Sequence, residues 1–210
     1  LDPNSTSQED LAKAQDLLAE ALYYGDSPEA AVAPYQQAMA TLEETHAKHP
    51  RSRVAMVRLS RSRWALGSTY LSLNRNTEAL ALFKRGSDEL RAMVAFDPDD
   101  MEAARQLQII ELDRGNALTS MGQVEAGLTV LKANVEERRH WLALRPQEVR
   151  RLRDLAVGVK NLGDEEAKHG RTADACGRYD EFRGLVARMK TSADFAAMDM
   201  ANTMADLAKM

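Results

Sequence analysis

Cysteine is almost missing from this chain: Cys176 stands alone among 210 residues. An intrachain disulfide is therefore excluded, and nothing points to an oxidising compartment. Aromatic residues make up only 5% of the chain, and none interleave with the arginines as a nucleic-acid surface would require. The net charge of -4 is too small to argue for nucleic acid as a partner. No apolar run approaches the roughly 18 residues needed to cross a bilayer, and the start lacks the pattern of a signal peptide. With no initiator Met before Leu1 and a polar opening of Asp2-Pro3-Asn4-Ser5, the sequence reads as a fragment of a longer protein. Prolines are few, and good helix formers (Ala, Leu, Glu, Arg and Met) dominate.

What the chain has is a register. Pro50, Pro98 and Pro146 are each 48 residues apart, and so are Gly67, Gly115 and Gly163. Small residues share one column at Ala31, Ala79, Gly127 and Ala175, and bulky ones another at Tyr35, Phe83, Leu131 and Tyr179. A third column, Asp26, Asn74, Gly122 and Gly170, holds residue types that tolerate a left-handed backbone at a helix end. A fixed period of this length means stacked supersecondary units, each unable to bury its apolar face alone.

Each unit reads as two antiparallel helices. In the second, one helix is predicted over about Ser52–Leu73, a break at Asn74-Arg75, then a helix capped by Asn76 that stops where Asp97 precedes Pro98. The third is predicted over Asp99–Met121 and Gln123–Leu144, the fourth over Pro146–His169 and Thr172 to about Met189. Pro34 is expected to kink its helix. Ser192 is predicted to cap a last helix with an apolar face of Phe195, Met198, Met204 and Leu207. The resulting domain plan is a flexible leader over 1–7, four repeats over 8–50, 51–98, 99–146 and 147–190, and a capping helix over 191–210. Gly inside a helix costs roughly 1 kcal/mol against Ala, so the Gly67 column calls for a close helix crossing, with Gly67 near Ala79 and Tyr70 and Phe83 filling around it. Cys176, beside the small-residue column, is expected to be buried and inert.

Leu66-Gly67-x-x-Tyr70, followed by Ala79, Phe83 and Gly86, resembles the pattern of the tetratricopeptide repeat (TPR) family. Leu162, Gly163, Ala175 and Tyr179 repeat that spacing, as do Gly115, Leu118, Gly127 and Leu131. The chain departs from the family in its long repeat, in Trp64 standing one place late, and in Arg114 and Glu166 where leucine and tyrosine are preferred. The resemblance implies an all-α solenoid of four antiparallel hairpins, a right-handed superhelix, with the first helix of each repeat lining a concave groove. It places Asp16, Glu20 and Tyr23 in that groove, then Arg61, Trp64, Ser68 and Leu71, then Ile109, Leu112, Asn116 and Thr119, then Val157, Lys160, Asp164 and Lys168. Of these, Arg61, Trp64, Ser68, Leu71, Leu112, Asn116, Thr119, Lys160 and Asp164 are the expected partner-binding residues. Asn116 resembles the asparagine with which peptide-binding members hold a ligand backbone. The set that clamps a C-terminal carboxylate is incomplete. The chain is also similar to long-repeat arrays attached to bacterial signalling domains.

Other constellations give less. Arg51, Arg58 and Arg61 share one helical stripe, either an anion-binding edge or, as we favour, a solvated face or a partner for the acidic first repeat. Residues 1–50 carry nine acidic and two basic side chains while residues 51–91 carry nine basic and three acidic, which suits such pairing. His46-x-x-His49 lacks the third and fourth ligands of a closed metal site. Asp97-Pro98-Asp99-Asp100 lacks the glycine and distal glutamate of a calcium loop and is better explained by helix capping. There is no phosphate loop, nucleophile elbow or HExxH. The expectation is thus a cytoplasmic, non-enzymatic scaffold without a cofactor that binds a protein or peptide in its groove, as a regulatory region of a bacterial signalling protein. It would be a monomer, or a weak homodimer through the C-terminal helix, with no nucleic-acid partner and no membrane insertion. The alternative is a sensory module that takes a small ligand and relays it to an effector domain. An enclosed apolar cavity at Trp64, Leu71 and Leu112 would favour the sensor, and an open, polar-rimmed channel the scaffold.

Overall fold

A computed structural model describes residues 3–25, 27–50 and 52–191, with side chains from residue 8 onward. Among these, every regular element is a helix: α1 (Pro3–Tyr24), α2 (Pro28–Lys48), α3 (Arg53–Ser72), α4 (Asn76–Phe96), α5 (Met101–Ser120), α6 (Val124–Leu144), α7 (Val149–Lys168) and α8 (Thr172–Lys190). The boundaries fall where the 48-residue columns place them. Helix α1 starts at Pro3 and so takes in most of the stretch set aside as a leader. Asp26, Arg51 and the C-terminal helix expected over 191–210 lie outside the described residues, apart from Thr191.

The turns inside hairpins repeat one device. Asn74, Gly122 and Gly170 have φ of 60°, 79° and 75°. That left-handed residue lets the next N–H reach back five residues: Arg75 to the Tyr70 carbonyl at 2.8 Å, Gln123 to Leu118 at 2.9 Å, Arg171 to Glu166 at 2.8 Å. This double-backed closure satisfies carbonyls that a helix end leaves without partners. Between hairpins, side chains cap α3 and α5, while Glu148 at the start of α7 makes no side-chain cap bond. The Ser52 Oγ accepts from the Ala55 N–H at 3.2 Å, and the Asp100 carboxylate from the Ala103 N–H at 2.9 Å. One local expectation fails. Arg75, not Asn76, occupies the N-cap of α4 and makes no side-chain cap bond, because the closure just described already fixes the helix entry. Helix α2 continues through Pro34, with Ala31, Val32, Tyr35 and Ala38 buried on either side of the proline.

The chain divides into two compact units, residues 1–127 and 128–210, each with its own buried residues. In the first unit α1 packs on α2, α2 on α3, α3 on α4 and α4 on α5. Helix α3 also touches α1 and α5, so the odd-numbered helices form one layer. Ala19, Tyr35, Leu66, Tyr70, Ala79, Phe83, Leu90 and Ile110 share one core. The Gly67 column does what its cost requires. A Cβ on Gly67 would lie 2.5 Å from Cε1 of the buried Phe83 ring. At Gly127 the obstacles include backbone, the Gly115 oxygen at 2.7 Å and the Thr119 nitrogen at 2.9 Å.

In the second unit the buried apolar set includes Leu131, Val135, Leu152, Val159, Leu162, Phe182, Leu185 and Met189. Gly163 faces Tyr179, whose Cε1 would lie 3.2 Å from an added Cβ, two repeats after Gly67 faces Phe83. Arg138 is buried, donates to the Asn134 Oδ1 at 2.8 Å and to the Asp154 carbonyl, and fills the space beside Gly158. Cys176 is exposed, contrary to expectation. The small-residue column turns Ala175 inward, and the next residue lies about 100° around the helix.

Candidate functional site: a groove across the first helices

The first unit holds a cavity of about 510 Å³ whose walls come from α1, α2, α3 and α5. Asp16, Glu20 and Tyr23 enter it from α1, and Arg61, Trp64 and Ser68 from α3. All six are groove positions implied by the repeat resemblance. They converge because each lies on the face of its helix away from the even-numbered layer. The rest of the lining is not among the expected groove positions: Tyr24 of α1, Tyr35 of α2, Ser62, Ala65 and Thr69 of α3, and Asp113 of α5.

Hydrogen bonds tie the walls together. The Trp64 indole N–H donates to the Asp113 Oδ2 at 2.6 Å, linking α3 to α5. The Ser62 hydroxyl donates to the Asp16 carboxylate at 2.9 Å, linking α3 to α1. Tyr23 and Tyr24 meet edge to face with ring centres 5.3 Å apart. Burial raises the Asp16 carboxyl above the ordinary aspartate value, opposed by the Ser62 hydrogen bond and by Arg61, and reinforced by Glu20. The Tyr35 phenol is pushed up to about 12, first by burial and then by the negative charges of Glu20 and Asp16. The Ser68 Oγ is buried with no hydrogen-bond partner among the described residues.

The other expected residues separate from this cavity. Leu71 is half-buried and packs against the core of the first unit. Leu112 is half-buried without lining the cavity, whose α5 wall is built by its neighbour Asp113. The Asn116 Oδ1 is buried without a partner among the described residues. Thr119 is buried, donates from Oγ1 to the Asn116 carbonyl at 2.9 Å, and packs its methyl at Gly127. It is thus a packing residue rather than an accessible groove residue. Lys160 and Asp164 lie in the second unit, paired at 2.7 Å, and Asp164 also accepts from the Tyr179 hydroxyl at 3.0 Å.

Of the described arginine stripe, Arg58 is drawn into internal pairing, as are Arg53 and Arg63 outside the stripe. Arg58 meets Glu9 of α1 at 2.6 Å. Arg53 pairs with Asp100, and Arg63 is buried between Glu43, at 3.0 Å, and Glu89. Arg61 alone of the described stripe lines the cavity. Among the described residues no group of three or more His, Cys, Asp or Glu side chains is arranged to hold a metal ion. No described helix is long and apolar enough to cross a membrane.

No protein-family model matches the chain, and no curated protein does either. Solved structures do. An aspartyl phosphate phosphatase F from Bacillus subtilis superposes with a TM-score of 0.68 at 12% identity, over 88% of this chain and 42% of its own. The chain thus spans less than half the length of that protein. A Podosopora anserina putative kinesin light chain with TPR-like repeats matches at a TM-score of 0.40 and 15% identity, over 88% of this chain and 99% of its own. MamA from Desulfovibrio magneticus RS-1 matches at 0.39 and 18%, over 85% and 96%. At such identities the likeness concerns the fold. Together with the repeated hairpin register and its left-handed turns, the likeness to the Bacillus structure makes this chain, by its fold, an all-α TPR-like helical repeat protein.

Proposed function

We propose that the chain is a protein-interaction scaffold that holds a peptide or protein segment in the groove of its first unit. The observation that carries this reading is the cavity of about 510 Å³, to which three successive odd-numbered helices contribute side chains. An open channel rimmed by Asp16, Glu20 and Arg61 suits an extended chain with polar side groups, whereas a small apolar ligand calls for an enclosed apolar pocket. Leu71 and Leu112, which such a pocket would have used, are not among its walls. The scaffold reading extends to a regulatory region of a larger, cytoplasmic bacterial signalling protein, in keeping with a lone cysteine and a Bacillus structure of like fold.

A photoreactive phenylalanine analogue placed at Arg61, in the groove, or at Lys84, on α4, tests the reading. Crosslinking in bacterial extract followed by mass spectrometry should recover a protein segment from the Arg61 position and not from Lys84, and Trp64→Ala should abolish it. Capture from Lys84 alone, or indifference to Trp64→Ala, would count against the groove.

A further inference from the structure

We infer that the outer face of α1 docks the same face of a second copy of this chain, the two helices lying antiparallel about a twofold axis. The inference stands apart from the groove and does not depend on the scaffold reading. Helix α1 puts small residues inward and large ones outward. Ala12 and Ala19 are buried, while Leu11, Leu17 and Leu18 are each more than half exposed. The 48-residue register gives that face a meaning. Leu11 is 52% exposed, yet its equivalents Leu59, Leu107 and Leu155 are 1%, 5% and 3% exposed. Leu18 shares a column with Leu66 and Leu162, both buried. Leu59 clusters with Ala38 and Leu42 of the preceding helix, α2. The column is thus a seam between helices elsewhere in the molecule, and on α1 the seam is open. A continuous apolar stripe of this shape is a surface for another helix.

A second α1 fits because the stripe is its own complement when reversed. Leu11, Ala14, Leu18 and Ala21 follow the alternating three- and four-residue spacing of a helix seam. With the axis level with Asp16, Leu11 lies opposite Ala21 of the second copy, and Ala14 opposite Leu18 of the second copy. Each leucine then enters the space beside an alanine, which lets the two backbones approach closely. The same alignment brings the exposed Lys13 level with the exposed Glu20 of the second copy, twice over by symmetry. A parallel pair would instead set leucine on leucine and Lys13 against its own copy. The antiparallel contact uses one patch on both chains, so it closes at two copies.

Sedimentation of the full chain at about 100 μM tests this, because one helix per copy makes an interface at the small, weak end of specific contacts. Wild type should run as a dimer. Leu18→Glu sets a carboxylate against an apolar face at a position already exposed in the single chain, and should give a monomer with unchanged circular dichroism. Leu144→Glu, comparably exposed but on α6, should leave the dimer intact. Lys13→Glu should weaken association at least about threefold, and adding Glu20→Lys should restore it. Disulfide formation in a Cys176→Ser background reads the direction. Leu17→Cys, beside the axis, should crosslink with its own copy on mild oxidation, whereas Leu11→Cys should crosslink only when mixed with Ala21→Cys. A monomeric wild type would overturn the inference. So would a dimer indifferent to Leu18→Glu, which would place the contact elsewhere, residues 192–210 included. Self-crosslinking of Leu11→Cys as fast as that of Leu17→Cys would overturn the antiparallel arrangement.

Discussion

Arg63 on α3 and Glu166 on α7 are both fully buried charges, one in each unit, and their surroundings differ. The Arg63 guanidinium donates to Glu43 at 3.0 Å and to Glu89, and Arg85 approaches the same Glu43 at 2.9 Å. It clasps α2, α3 and α4 together. Glu166 has Lys132 at 3.6 Å and Arg178 at 3.4 Å, yet neither of its oxygens accepts a hydrogen bond. Its column holds Tyr70 two repeats earlier, where the ring packs in the core and the hydroxyl accepts from Gln36 at 2.9 Å. The register therefore settles that a position is buried, while its neighbours decide whether a charge there helps. A buried ion that is hydrogen-bonded holds partners in place, and one that is merely near opposite charge pays most of its desolvation unrelieved.

Parallel substitutions would break that contrast if it is false. Arg63→Met should cost about 3 kcal/mol, toward the lower end for a broken buried pair because Glu43 and Glu89 keep some contact with water. Glu166→Met should lie between neutral and a gain of about 2 kcal/mol, since Lys132 and Arg178 are partly exposed and can turn to solvent. Urea unfolding of the two variants measures both. Similar losses would mean that Glu166 is as well compensated as Arg63.

Much of this architecture was legible before any coordinates. Asn74, Gly122 and Gly170 marked left-handed turns because few residue types accept that backbone, and Gly67 marked a crossing because glycine costs too much elsewhere. The groove was legible in part. The repeat resemblance places Asp16, Glu20, Arg61, Trp64 and Ser68 in the groove, and they meet. On α5 the register slips: Asp113 rather than Leu112 reaches the wall, and Thr119 turns toward Gly127. Tyr35 was assigned to packing, and it does pack, but its ring also borders the cavity. A single column can serve two neighbours, and periodicity names only one. Cys176 failed for a related reason: adjacency in sequence to a buried column places a helical residue on another face.

Gly67 and Gly163 sharpen the comparison at smaller scale. Both occupy one column and both face an aromatic ring, but the clearances differ. The Phe83 ring is fully buried and would stand 2.5 Å from a new Cβ, with no room to retreat. At Gly163 the nearest atoms are the Arg178 Cβ at 3.0 Å and the Tyr179 ring at 3.2 Å, on a helix face partly open to solvent. Alanine gains about 1 kcal/mol of helix propensity at either site. Gly67→Ala should nevertheless lose about 1–2 kcal/mol to overpacking, while Gly163→Ala should fall near zero. A larger loss at Gly163 would show that the second unit is the more tightly crossed.

The smallest effect expected is a pH dependence confined to the first unit, where Asp100 and Asp16 oppose each other. Hydrogen bonding from Arg53 holds the Asp100 carboxyl below its ordinary value of 3.8, burial working against it and the Ala103 N–H helping. A carboxylate depressed by folding contributes stability that is complete above the ordinary value and is lost as pH falls through the depressed one. Asp16 is raised, so its share runs the other way, with stability falling as pH climbs from the ordinary value through the raised one. Asp100→Asn isolates the first contribution. The amide keeps an oxygen to accept the Ala103 N–H at the helix start, so the cap survives and only the pairing with Arg53 is lost. Arg53 is half exposed, which limits that pairing to about 1 kcal/mol or less. Urea midpoints should therefore differ slightly between wild type and Asp100→Asn near about pH 7, and the difference should shrink as pH drops below about 4, where the carboxylate of the unfolded wild-type chain begins to take up its proton. A gap that stays constant to the lowest pH would mean that the loss comes from a weakened cap rather than from the charge. A gap that opens on acidification would reverse the sign assigned to Asp100.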